Sequence, residues 1–149
     1  MIKILFVCHG NICRSPAAEM IAKKMVRDHE KEAFISSAAT TNEEIGNDIY
    51  PPMRRELNNR GIPLESRCAR KTTKQDYKDY DYIIGMDEEN RHDLYRIYGG
   101  DPDLKISLLM EWAGEHREVS DPWYTRNFAE AADDIEKGCA ALLQQLGLY

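Results

Sequence analysis

Six residues after Cys8 comes Arg14, inside the stretch Val7-Cys8-His9-Gly10-Asn11-Ile12-Cys13-Arg14-Ser15-Pro16. A thiol and a guanidinium at that spacing point to anion chemistry. If the chain between them curls, the backbone N–H groups of residues 9 to 14 converge on one point, and Arg14 adds a planar fork that matches two oxygens of a phosphoryl group. The run Ile2 to Val7 before the stretch is apolar and the residues after it have helical periodicity, so the stretch joins a strand to a helix whose positive end favours an anion. Phosphate is the candidate ligand. The same field favours the Cys8 thiolate, a nucleophile able to attack phosphorus and carry the phosphoryl group covalently. Gly10 can take a positive φ without cost and Asn11 is among the few other residues that tolerate one, which lets the loop curl around its ligand.

The same residue types have plainer uses. Gly10 and Asn11 suit any turn between strand and helix, and Cys8 and Cys13 suit a core as small apolar residues. A Walker loop is excluded because no Gly-Lys-Ser/Thr ending follows, and no Gly-x-Gly-x-x-Gly is present for a dinucleotide. Zinc is not expected, since Cys8, His9 and Cys13 are poorly spaced and Cys68, Cys139, His29, His92 and His116 supply no matching second pair. Neither a metal nor a cofactor is expected.

Cleaving a phosphate ester also needs a proton for the leaving oxygen, worth about 10²–10⁴-fold when the donor is well placed. Composition alone cannot choose the donor among 26 acidic residues, but two lie in Asp-Pro pairs, Asp101-Pro102 and Asp121-Pro122. The first follows Gly99-Gly100 and reads as a turn. The second precedes Trp123 and Tyr124, an aromatic pair suited to walling a ring-binding cleft, although core packing is the plainer use of both rings. Asp121 is the expected acid.

These residues need a scaffold that holds a strand end and a helix start together. Three apolar runs, Ile2 to Val7, Phe34 to Ser37 and Tyr82 to Met86, alternate with helical patterns, and Leu104 to Leu109 reads as a fourth strand. Such alternation implies a parallel sheet covered by helices, with ligands bound beyond the carboxyl ends of the strands. A helix is expected from Ser15, with Ser15 as N-cap and Pro16 in the first turn. Pro51 and Pro52 lead a short helix stopped near Gly61, and Thr73 with Asp76 forms a capping pair for another. Phe128, Ala132, Ile135, Cys139, Leu142 and Leu146 recur at three or four residues, so the last helix buries Cys139. The polar connection from Thr41 to Pro52 is long enough to line a site.

A chain of 149 residues is the size of one domain, and residues 1–149 are expected to form one. A net charge of -6 argues against a nucleic-acid partner, because neutralising a phosphate backbone needs a basic face. No apolar stretch approaches the roughly 20 residues of a membrane span, and the N-terminal run reads as a strand and not as a signal. Four dispersed cysteines do not form a secreted disulfide framework, so reduced thiols in a cytoplasmic protein are the expectation.

The segment Leu5-Phe6-Val7-Cys8-His9-Gly10-Asn11-Ile12-Cys13-Arg14-Ser15-Pro16-Ala17-Ala18-Glu19 resembles the signature of the low-molecular-weight protein tyrosine phosphatases. The resemblance continues through "SSAAT", "RGIP", "AR", "DYIIGMDEEN" and "DPWY", in the order that family shows. It implies an α/β fold of three layers, a four-stranded parallel twisted sheet with helices on both faces and a phosphate-binding loop after strand 1. It also implies a monomeric hydrolase of phosphotyrosine and aryl phosphates that works through a phosphocysteine. Cys8 would be the nucleophile, Arg14 the transition-state clamp and Asp121 the acid. The backbone from His9 through Gly10, Asn11, Ile12 and Cys13 to Arg14 would cradle phosphate, Trp123 and Tyr124 would stand at the mouth, and Ser15 would bond the Cys8 sulfur. Asn11 and Ser37 would hold the loop's shape.

Two positions depart from the family pattern. Around Glu43 the family often has an aromatic residue, where this chain has acids and only Tyr50 nearby, so a negative rim is expected unless a cation such as Arg54 offsets it. Arg67 stands where the family commonly carries a histidine that supports the loop, so altered support is expected. Among rival functions, an arsenate reductase of this fold needs two further cysteines close together, which Cys68 and Cys139 are not. Arginine phosphatases tend to carry threonine where this loop has Ile12, and a mere phosphate-binding module would need neither Cys8 nor Asp121.

Overall fold

The computed structural model describes residues 1–149, and its centre is a sheet of four parallel strands in the order β2-β1-β3-β4. The strands are β1 (Ile2–Cys8), β2 (Ala33–Ala39), β3 (Tyr82–Gly85) and β4 (Ile106–Leu108). Central strands covered on both faces need apolar side chains in both directions, and β1 meets that need with an unbroken run. Ile4, Phe6 and Cys8 pack into one core layer, while Leu5 and Val7 pack into the other.

The larger layer is closed by α1 (Arg14–Asp28), α2 (Pro51–Asn59), α5 (Leu109–Trp112) and α7 (Phe128–Gln145). The inner stripe of α7 is Ala131, Ala132, Ile135, Cys139, Leu142 and Leu143, all fully buried, as its periodicity requires. Gly138 lets α5 press against α7, since a Cβ there would lie 2.4 Å from Leu109 Cγ. The second layer holds α3 (Lys74–Asp79) and α4 (Glu88–Tyr98), which contribute Tyr77 and Leu94. A short helix, α6 (Pro122–Thr125), lies in the connection before α7. No helix is long and apolar enough to cross a membrane.

Two expectations shift at element ends. The first helix starts at Arg14 with Cys13 as N-cap and no capping side chain, because the Ser15 hydroxyl is taken by the Cys8 sulfur. The fourth strand is shorter than its apolar run, since Leu104 turns with φ 53° and is 87% exposed while Leu109 already begins α5. Gly10 does not adopt a positive φ; Asn11 does, at 60°. Thr73 and Asp76 pair as expected, with Asp76 Oδ2 accepting from the Thr73 N–H at 2.9 Å.

Strand order places a switch point between β1 and β3, where the chain leaves β1 for β2 on one side and later returns to β3 on the other. Crevices form at such points beyond the carboxyl ends of the strands. Cys8 is the last residue of β1, at that edge.

Candidate active site

The loop after Cys8 is shaped by Asn11. A left-handed conformation is unfavourable for most residues, and here a fully buried asparagine holds it with every side-chain group engaged. Nδ2 donates to Ser15 Oγ at 2.8 Å and Ser37 Oγ at 2.9 Å, and Oδ1 accepts from the Arg70 N–H at 3.2 Å and Arg67 Nη2 at 2.6 Å. Ser37 in turn donates to Glu19 Oε1 at 2.6 Å, and Lys23 pairs with Glu19 at 2.7 Å. Gly10 serves by its small size, since a Cβ there would meet Glu44 Cγ at 3.3 Å.

Within this loop the Cys8 sulfur faces donors. The N–H groups of Asn11 and Ser15 lie 3.3 and 3.4 Å away, and Ser15 Oγ lies at 3.0 Å. Ser15 Oγ accepts from Asn11 Nδ2, and for its own proton the Cys8 sulfur at 3.0 Å is a nearer partner than the Ala38 carbonyl at 3.5 Å. The N–H groups of His9, Gly10, Ile12, Cys13 and Arg14 have no acceptor within the protein. A set of free backbone donors at the start of α1 is a ready anion site.

Arg14 is almost completely buried and fixed along one edge. Nη1 donates to Asp87 Oδ2 at 2.8 Å and to the Val119 carbonyl at 3.0 Å. Nη2 has only a longer contact, 3.4 Å to Asp121 Oδ2, so the edge carrying Nε and Nη2 is the one left for a ligand. Burial alone would lower the Arg14 pKa, but the charges of Cys8, Asp87 and Asp121 outweigh it and the net shift is upward. The guanidinium stays charged.

Asp121 is the N-cap of α6, with Oδ1 accepting from the Trp123 N–H at 3.0 Å. The four-residue helix thereby aims the other carboxylate oxygen toward Arg14. Trp123 and Tyr124 are 47% and 82% exposed at the pocket mouth, which places them in the cleft and not in the core. Asp101 is elsewhere, accepting from the Tyr77 hydroxyl and the Lys105 and Ile106 N–H groups in the turn before β4.

One pocket brings together Cys8, His9, Gly10, Ile12, Cys13 and Arg14 from the loop with Asp121, Trp123 and Tyr124 from the far side. Asn11, Ser15 and Ser37 lie behind it as supports. Cys13 lines it as a thiol, because burial, followed by the Cys8 charge, pushes its pKa up to about 12. No three His, Cys, Asp or Glu side chains converge as metal ligands.

Against known proteins, the sequence model of the family described as low molecular weight phosphotyrosine protein phosphatase matches residues 3–148. The chain belongs to that family. It is 37% identical to the low molecular weight protein-tyrosine-phosphatase YfkJ of Bacillus subtilis, over 98% of this chain and 96% of that one. The crystal structure of YfkJ superposes with a TM-score of 0.94, covering 99% of this chain and 95% of that one. The human low molecular weight phosphotyrosine protein phosphatase is 38% identical, over 95% of this chain and 94% of its own. A Drosophila arginine phosphatase also shares the fold, with a TM-score of 0.90 at 29% identity, covering 97% of this chain and 98% of that one. As a family member the chain is a protein tyrosine phosphatase, with the α/β fold the signature implied.

The residue that sequence reasoning missed is Asp87. It caps α4, with Oδ1 accepting from the Asn90 N–H at 2.8 Å, and its second oxygen holds Arg14. The Asp-x-x-Asn spacing just past a strand end was the available signal.

Proposed function

We propose that this phosphatase hydrolyses phosphotyrosine in two displacements at Cys8. The carrying observation is the Cys8 sulfur at the base of a ring of free N–H donors, with Arg14 and Asp121 in the same pocket. In the first step the thiolate attacks phosphorus in line, the bond from phosphorus to the phenolic oxygen breaks, and Asp121 gives its proton to that oxygen. The three non-bridging oxygens are held by the N–H groups of the loop and by the Nε and Nη2 edge of Arg14, which is where charge needs support.

In the second step water attacks the phosphocysteine, the Asp121 carboxylate takes its proton, and the bond from phosphorus to sulfur breaks to release inorganic phosphate. Ser15 Oγ, 3.0 Å from the sulfur, supports the departing thiolate. Trp123 and Tyr124 flank the substrate ring, and Ile12 gives the pocket an apolar wall.

The test is turnover of an aryl phosphate and of phosphotyrosine, phosphoserine and phosphoarginine peptides under one set of conditions, with the Cys8→Ser variant beside the native enzyme. Phosphotyrosine is expected to be the fastest peptide and the variant to be inactive. The likeness to the Drosophila arginine phosphatase makes phosphoarginine the rival, and a faster rate on that peptide would reverse the substrate assignment. An intact rate in Cys8→Ser would remove the mechanism.

A further inference from the structure

The pocket mouth is electrically lopsided. On one side stand Trp123 and Tyr124; on the other stand Glu43 and Glu44, from the connection between β2 and α2, and Glu89, from the first turn of α4. Glu43 and Glu89 have 65% and 69% of their side-chain surface exposed, so their charges face solvent at the entrance. None of the three pairs with Lys or Arg. His9 lies between two of them, Nε2 at 3.0 Å from Glu43 and Nδ1 at 3.6 Å from Glu89, and Glu44 is bonded only to the Asn47 amide at 2.6 Å.

Of the four arginines around this rim, three are paired or turned away and the fourth stands on the opposite, aromatic side. Arg54 is paired with Asp48, and Arg67 is turned to the back of the loop onto Asn11. Arg91 is held by Glu88 and Glu111. Arg126 lies over the rings of Tyr50, Trp123 and Phe128 at 5.4 to 6.0 Å and donates to the Tyr50 hydroxyl, on the aromatic side. The cradle draws in the phosphate of any substrate alike. The acids therefore act on what stands next to the phosphotyrosine.

We propose that Glu43, Glu44 and Glu89 select phosphotyrosyl substrates carrying Lys or Arg beside the phosphotyrosine, and disfavour acidic neighbours. This rests on phosphotyrosine hydrolysis at Cys8 and adds the substrate class to it. Each exposed charge contact is worth about 0.2–1 kcal/mol, so two or three acting together give roughly tenfold discrimination.

The experiment is kcat/KM for matched peptides with phosphotyrosine flanked by Lys, Ala or Glu, at low salt. The Lys peptide is expected to exceed the Glu peptide about tenfold, with Ala between them. In about 1 M salt, where charges are screened beyond about 3 Å, the ratio should fall to about twofold or less in the native enzyme. The E43Q/E44Q/E89Q variant should show the same collapse at low salt. Equal rates for the three peptides, a preference for Glu, or a ratio unchanged in the variant would overturn the proposal. Hydrolysis of none of the peptides would instead defeat the phosphotyrosine reading beneath it.

Discussion

Arg67 grips Asn11 twice, with Nη2 2.6 Å from both the carbonyl oxygen and Oδ1 of that residue. Asn11 is the left-handed residue on which the loop's curl depends, so the arginine fixes the backbone and the side chain of the turn together. The departure at this position preserves support for the loop and supplies it with a charged donor. Arg67→Ala is expected to lower stability by about 1.5–3 kcal/mol, the usual loss for hydrogen bonds to a charged group. Denaturant unfolding checks it, and a reduced kcat should accompany it.

Asp87→Asn keeps a helix cap but removes the charge that holds Arg14 Nη1 at 2.8 Å. A lost charge-assisted bond of about 1.5–3 kcal/mol, expressed at the transition state, corresponds to a fall of roughly 10- to 150-fold in kcat/KM. Circular dichroism should show an unchanged fold.

Asp121→Asn should slow turnover of a phosphotyrosine peptide by about 10²–10⁴-fold. An aryl phosphate with an acidic phenol needs less help from an acid and should lose less. Asp101→Asn should leave the rate nearly unchanged, while lowering stability through the turn that Asp101 ties together. The opposite assignment of the two aspartates would appear as the reverse pattern of rates.

Alkali should destabilise the fold. Burial raises the pKa of Cys13 from 9.0 to about 12, and that of Cys139 is also raised by burial and then by Glu136. A group whose acid form is favoured in the native state contributes stability that is present below its unfolded pKa and lost as pH rises toward the folded one. Thermal midpoints should therefore fall from about pH 9 upward. Cys139→Ala should flatten that slope.

Much of this structure was legible because it is written in local patterns. The unbroken apolar run of β1, the stripe of α7 and the proline start of α2 each report a burial pattern or a backbone constraint within a few residues. The loop was legible for the same reason: Cys8, Arg14 and their donors are contiguous. Asp87 was not, because its role depends on a contact across 73 positions that no local period announces. Gly10 acts here through the space it leaves beside Glu44, which no local pattern announces, and Ser15 makes the bond to Cys8 that the family resemblance implied but not the cap that its place before Pro16 suggested. Leu104 misled because an apolar run says nothing of a left-handed turn within it.

Val119 accepts from Arg14 Nη1 at 3.0 Å while its own N–H donates to the Met86 carbonyl at 3.0 Å, two residues before Asp121. The Arg14 guanidinium and the segment carrying Asp121 thus share one fastening to the end of the sheet. Their contributions will not multiply: in a double-mutant cycle, Arg14 and Asp121 substitutions should show strong coupling, because loosening either shifts the other. Redesign of this enzyme for a different leaving group must therefore treat the two as a single unit.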